Sequence, residues 1–531
     1  MAFIPFLPWW YAFAGVVVIP LVILLSDIWK WLHMPPGPTP LPFIGNKLPT
    51  SKPWIQFQEW SKTYGPIFTI WVGRRPTLVL SDPVVAEELM EKRSSNYSSR
   101  PRFVVMGEIY GTGSILVQPY GKEWSLRRKL LHRALTPAAL RTYKARQEAE
   151  SSRLAYQVLH NPTNWEQAFE RFTASIVFSI SYGHRIDSLD SPVIRQRLEF
   201  MHFMASLNVP GAYMAESFPL LKYVPNFLAQ WKRNIQDHAR AESLANMALI
   251  DDVAKSMKLG EEGGYKVAHS LTQTLLSVRE EEGLPLLDKD FSSIPASLFG
   301  AGSDTTASTM CSAILAFITH PSILDIAHQE LDAIIGTERT PTFEDEAKLP
   351  YIRALIKEVL RWRPVAVLGG TPHASNKDDI YNGYLIPSRT TVLGNSWAIN
   401  LNEEYYTNPR TFNPSRFLNE KDPRYIPSLK SRKVHPAKSG HSSFGWGRRI
   451  CPGADLAVNS LFAALSKLIW AFDIIPIPGR TYDTFDYTDG FNIRPKPFQC
   501  IIKIRSESHR RVLEKEKIAA DEELKKFPAY H

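Results

Sequence analysis

The chain has 531 residues, 44% of them hydrophobic and 22% charged, so it can bury a large core and is neither disordered nor fibrous. Three cysteines, Cys311, Cys451 and Cys500, exclude a disulfide framework, and without a C-x-x-C pair a structural zinc site is not expected. The net charge of +9 is compatible with nucleic acid, an anionic membrane or an acidic protein partner.

The first charge in the chain is Asp27. Residues 1–32 are therefore predicted to be a membrane anchor, since they hold an apolar run near the roughly 20 residues that a bilayer span needs. Trp9, Trp10 and Tyr11 at one end, and Trp29 and Trp31 at the other, suit the two interfaces. Pro20 would kink such a helix only locally. The run lacks the basic leader and small-x-small site of a cleaved signal peptide. Lys30, Lys47 and Lys52 follow it and no Lys or Arg precedes it, which leaves the N-terminus lumenal and the bulk cytosolic. "PPGPTPLPFIGN" within residues 33–46 predicts a stiff extended linker without helix. Residues 47–505 read as one large domain. Residues 506–531 read as a charged tail, either a solvated helix or a frayed end.

Within the large domain, "PIFTIWV" and "PTLVLSD" predict a hairpin turning at Gly73-Arg74. "DIYNGYLIPSRTTVL" predicts a second, with Asn382-Gly383 as a type I′ turn. Between them the apolar spacing is helical. The last strands fall near "FDIIPIP" and "FQCIIKI". The fold class is mainly α with small β-sheets near both ends of the domain.

Cys311 and Cys500 lie in apolar periodic stretches and read as core residues. Cys451 differs. In "SFGWGRRICPGADL" it follows Arg448 and Arg449 and precedes Pro452 and a predicted helix, with Gly445, Gly447 and Gly453 freeing the backbone to pass close to something flat. A helix N-terminus stabilises an anion, so the thiolate could serve as nucleophile, metal ligand or haem ligand. His441 alone is weak support for a nucleophile.

"FGWGRRICPG" matches F-x-x-G-x-R-x-C-x-G, and four further motifs follow the same order: "WSLRR" with Trp124 and Arg128, "AGSDTT" at 301–306, "EVLRWRP" with Glu358 and Arg361, and "FNPSRF" with Arg416. Together they resemble the microsomal type of the cytochrome P450 family over nearly the whole chain, and the style of "TPHASNKDDIYNGYLIP" resembles fungal members of secondary metabolism. The resemblance implies a single large haem domain behind an N-terminal transmembrane helix in the endoplasmic reticulum membrane. It implies haem b with Cys451 as axial ligand and Phe444 packed beneath, and haem propionates held by Trp124, Arg128, His373 and Arg449. Glu358, Arg361 and Arg416 would form a structural charge cluster. Ala301 and Gly302 would leave room for O2, and Asp304 with Thr305 would relay protons, Thr305 bonding back to the Ala301 carbonyl. The substrate pocket would draw on Phe103, Tyr110, Phe299, Ala301, Val365, Val367 and Phe491. "FPLLKYVPNFL" at 218–228 would be a membrane-dipping entrance.

The implied activity is insertion of one oxygen atom from O2 into a lipophilic small molecule. Electrons would come from NADPH through a FAD/FMN reductase, with cytochrome b5 a further candidate donor; membrane lipid is an expected partner and nucleic acid is not. A reductase-independent isomerase or dehydratase, or a non-catalytic haem-binding protein, are the alternatives; the intact Asp304-Thr305 pair speaks against the first, and the second would need neither that pair nor an apolar pocket. Lys122, Arg127, Lys129, Arg133 and Arg448 are expected to form a basic face behind Cys451 for an acidic reductase.

Overall fold

The computed structural model describes residues 9–111, 113–207, 212–264 and 267–530, with the side chains of 9–16, 202 and 205 outside the description. The expected interfacial residues Trp9, Trp10 and Tyr11 thus fall outside the described side chains.

Strands β1 (Ile67–Val72) and β2 (Arg75–Leu80) form the predicted antiparallel hairpin. β3 (His373–Ala374) and β6 (Thr391–Gly394) complete a four-stranded sheet of order β1-β2-β6-β3, with β6 parallel to β2. β4 (Asp379–Tyr381) and β5 (Tyr384–Ile386) pair across Asn382 and Gly383, whose φ values of 50° and 82° are those a type I′ turn requires. β7 (Phe472–Ile475) pairs with β8 (Ile501–Ile504). Most of the rest is helical, as the apolar spacing predicts, apart from residues 401–453 and 476–500, which are irregular but for short 3-10 turns.

The main core gathers around the central helix Asp288–Thr319, which is buried almost continuously from Thr306 to Ile318. It packs on helices Trp165–Tyr182, Gln230–Gly263, Pro350–Trp362 and Ala454–Ala471. Among the described residues, one helix, Ala454–Ala471, is apolar and long enough to cross a membrane, and 72% of it is buried. It is a core helix.

The N-terminal helix Trp9–His33 leaves Val17, Ile19, Val22, Leu25 and Leu32 at least half exposed. Its far end is fixed to the body: Arg74 Nε donates to Asp27 Oδ2 at 2.6 Å. Trp31 packs against the buried cluster that includes Met34, so it contributes to protein packing as well as to any interface. The proline-rich segment contains no helix, as expected, but it is not a free spacer. Thr69 N–H donates to Pro36 O at 3.0 Å, and Trp71 N–H donates to Asn46 Oδ1 at 2.7 Å. A Cβ at Gly37 would lie 1.9 Å from Thr69 O, so glycine alone permits this approach.

The charged tail also differs from expectation. Ser506 caps a helix, Glu507–Leu524, that packs on helix Pro137–His160. His509, Leu513, Ala520 and Leu524 share one buried face, and the chain then runs beside Arg185, with Tyr530 N–H donating to Arg185 O at 3.0 Å. The surrounding charges of both signs hide this stripe from a composition-based reading.

Candidate active site

Two left-handed glycines shape the loop before the proximal helix. Gly445 and Gly447 have φ of 76° and 56°, and a Cβ at Gly447 would lie 2.1 Å from Met90 O. The loop closes with Cys451 N–H donating to Phe444 O at 2.9 Å. Pro452 lies ahead of the helix, whose N-cap is Gly453, rather than in its first turn. Gly453 N–H donates to the Cys451 sulfur. The thiol lines a cavity. Burial raises its pKa above the usual thiol value despite the Gly453 donor and the nearby Arg128.

That cavity has a volume of about 1190 Å³ and is lined by Cys451 and Phe444 at one wall and by Ala301, Asp304 and Thr305 at another. Thr305 Oγ1 donates to Ala301 O at 2.9 Å, the back-bond expected from the sequence. Asp304 interacts with Arg494. Gly302 lines the cavity and also has a packing reason. A Cβ there would meet Val177 Cγ1 at 2.5 Å, so glycine is required by the approach of helix Trp165–Tyr182. Thr173 of that helix donates to Ser303 O at 2.6 Å and pins the central helix at this point.

A third wall is cationic. Arg449 donates to the carbonyls of Ser98, Ile115 and Gln118, and its guanidinium lies 4.2 Å over the Trp124 ring. Arg128 donates to Ile450 O at 2.5 Å. Arg100 donates to Leu116 O at 2.7 Å and to Thr371 O at 2.7 Å. Among the described residues no carboxylate pairs with any of the three. Burial, with repulsion from Arg128, pushes Arg449 down to about 9; burial, with repulsion from Arg449 and Arg128, lowers Arg100, and burial alone lowers Arg128. His373 also lines the wall; burial and then Arg100 push it down to about 3, and its Nδ1 is 2.8 Å from Tyr97 O. It is neutral here, so the expected donor role needs anions beside it to restore its second proton.

Behind this wall Glu358 and Arg361, both fully buried, pair at 2.6 Å, and Arg416 reaches Glu358 at 3.0 Å. Arg361 also donates to Asn400 O and Pro409 O, so the cluster is satisfied and away from the cavity.

The Cytochrome P450 family model matches residues 35–502. The chain belongs to the cytochrome P450 family. It is 36% identical over 488 residues to "Cytochrome P450 monooxygenase 253" of Postia placenta, covering 89% of each chain. It is 34% identical over 498 residues to a cytochrome P450 monooxygenase of Armillaria gallica, covering 92% of this chain and 93% of the relative. A cytochrome P450 monooxygenase of Clonostachys rogersoniana is 33% identical over 520 residues, with 94% and 93% covered.

Membership of this family implies a haem with a cysteine thiolate, and O2 chemistry at it. The residues present fit that group. Arg100 is buried and Arg128 and Arg449 are partly buried, and a dianionic ligand would offset much of the charge that these guanidinium groups bring to the wall without a carboxylate partner. At Gly453 a Cβ would meet nothing within 4 Å, which leaves the backbone bare where a flat group would pass. Arg100 was missed by the sequence reading, because no motif in the neighbouring sequence marks it. In this cytochrome P450, Tyr110, Phe299, Ala301, Val365 and Phe491 line the cavity. Phe103 does not; it packs half-buried on the separate cluster of Val104 and Val105. Val367 does not either, being 1% exposed in the main core.

The basic face is thinner than expected. Arg127 turns inward and pairs with Asp290 at 3.3 Å, and Arg133 pairs with Glu282 at 3.3 Å. Lys122, Lys129 and Arg448 are exposed.

Proposed function

We propose that this cytochrome P450 monooxygenase binds haem b through Cys451 and inserts one oxygen atom of O2 into a lipophilic small molecule of fungal secondary metabolism. Electrons come from NADPH through a FAD/FMN reductase, with cytochrome b5 as a second donor. The observation that carries this reading is one cavity lined at once by Cys451, by the unpaired Arg100, Arg128 and Arg449, and by Ala301 to Thr305.

Bound haem supplies the oxygen-activating chemistry. The chain's residues do the rest. Gly453 N–H holds the sulfur; Pro452, lacking an N–H, makes it the first amide able to do so. Arg100, Arg128, Arg449 and the Trp124 indole hold the two propionates. Phe444 shields the sulfur side. Phe299, Val365 and Phe491 exclude water from the substrate's side. Thr305 Oγ is the atom at which a proton enters the cavity, and Asp304 beside it supplies the acid. Glu358, Arg361 and Arg416 fix the fold around the loop.

The N-terminal helix serves as a single-pass anchor in the endoplasmic reticulum membrane, N-terminus lumenal. Its exposed Val and Leu side chains support this. So do Leu220, Phe227 and Leu228 in the expected entrance loop, each at least 70% exposed. The domain division follows: anchor to 32, a docked connector to 46, the haem domain to 505, and a packed terminal helix beyond.

The reading is tested with purified enzyme, reductase, NADPH and isotopically labelled dioxygen over a panel of lipophilic fungal metabolites. One labelled oxygen atom per product, with turnover that needs the reductase, is expected. Lys122, Lys129 and Arg448 predict that reduction slows with salt, since exposed charges are screened within about 8–10 Å at physiological ionic strength. Product formed without reductase would overturn the monooxygenase reading.

A further inference from the structure

The cavity holds a second polar cluster that the chemistry at Cys451 does not use. Arg197 lies on helix Pro192–Leu207, Glu242 and Asn246 lie one turn apart on helix Gln230–Gly263, and Tyr110 follows the segment Val104–Ile109. All four line the cavity. Arg197 is 4% exposed and Asn246 5%. Arg197 Nη2 donates to Asn246 Oδ1, its Nη1 lies 3.9 Å from Glu242 Oε1, and its buried Nε has no hydrogen-bond partner. The Tyr110 hydroxyl donates to Glu242.

The buried Tyr182 hydroxyl also sits beside Arg197 and shares one of its donors, yet the amide of Asn246 is left over. Asn246 Oδ1 is taken by Arg197, and among the described residues its Nδ2, a pure donor, has no partner. Burial raises Glu242 to about 7, so near neutrality it offsets the Arg197 charge only in part. Arg240, exposed on the same lining, adds a second cation. A wholly apolar occupant would leave these donors desolvated and unpaired.

The cluster is also placed within reach of the oxygen side. Met201, one helical turn beyond Arg197, meets Ser303 with Ser303 Oγ 3.6 Å from Met201 Sδ. Ser303 is two residues before Thr305. A turn of helix is about 5.4 Å, so a group held at Arg197 directs the remainder of a substrate over the central helix.

We propose that Arg197 and Asn246 form a headgroup site for a hydrogen-bond-accepting oxygen, a carboxylate or an ester carbonyl, on an otherwise apolar substrate. This rests on the reading of the cavity as a lipophilic substrate site. Glu242 and Tyr110 are positioning residues that hold the roof helix to the segment below.

Three probes of one chain length test it on the holoenzyme by equilibrium dialysis: decanoate, methyl decanoate and decyltrimethylammonium. The first two should bind on the order of tenfold to a hundredfold tighter than the third, the range expected of one or two charge-assisted hydrogen bonds. In Asn246→Leu, and in Arg197→Gln, that preference should vanish. The reduced CO spectrum of each preparation reports independently whether haem and thiolate are in place. Its failure in the wild type would remove the haem reading, whereas a normal spectrum with three probes bound alike would overturn the headgroup site alone. A preference that survives Asn246→Leu with a normal spectrum would also overturn it, leaving Arg197 and Asn246 as a tie between helices.

Discussion

Arg449 stacks 4.2 Å above Trp124, joining the cysteine loop to helix Lys122–His132 across the cationic wall. The stack fixes one guanidinium, while Arg100 is fixed from the other side by the Thr371 and Pro372 carbonyls. Both are held by backbone oxygens, not by carboxylates, so their charge stays available to a ligand.

Arg100→Leu should therefore lose haem faster than the wild type, by on the order of tenfold, the weight of one charge-assisted hydrogen bond. Arg100→Lys, which keeps the charge but not the fork, should fall between. Haem transfer to a scavenger protein, followed by absorbance, measures this. Equal rates in all three would show that Arg100 serves the fold alone.

Thr305 Oγ1 is bonded back to Ala301 O at 2.9 Å. Thr305→Ala removes the hydroxyl without touching the haem's supports. NADPH use should persist while product per NADPH falls several-fold and hydrogen peroxide rises. An unchanged ratio of product to NADPH would show that the proton enters elsewhere.

The parts most legible in the sequence are those where one residue type is obligatory. Gly445 and Gly447 need positive φ, Asn382-Gly383 builds its turn alone, and Glu358 and Arg361 share a helix face three residues apart. What stayed hidden depends on partners distant in the chain. Gly302 is explained by Val177 on another helix, Arg100 by carbonyls near residue 371, and Gly37 by β1. Arg197 meets Asn246 only because two roof helices cross, and no local spacing signals that. Arg127 and Lys129 look alike in sequence, yet only one finds an acid, Asp290, to turn inward for.

Glu516 carries the docking of the terminal helix. It lies 3.4 Å from the buried Lys467 Nζ and accepts from Thr340. Burial would raise its carboxyl, but Lys467 and Thr340 outweigh that and hold it below the usual value. A depressed carboxylate adds stability above its unfolded pKa and loses it as pH falls through the lower folded value. Amide exchange across Glu507–Leu524 should accordingly quicken as pH drops below about 4.3, beyond the intrinsic trend. Glu516→Gln should cost on the order of 1–3 kcal/mol at neutral pH and flatten that dependence. A variant that keeps the wild-type pH profile would contradict the assignment.

The most direct test of the whole reading is the absorbance of the reduced CO complex in the wild type and in Cys451→Ser, with Cys311→Ser as a control. Cys311 is buried in the core, 2% exposed, and should leave the far red-shifted Soret band of a thiolate-ligated haem unchanged. Cys451→Ser should abolish that band while the protein remains folded by circular dichroism. The same red-shifted band in Cys451→Ser would contradict the assignment of Cys451 as the axial ligand.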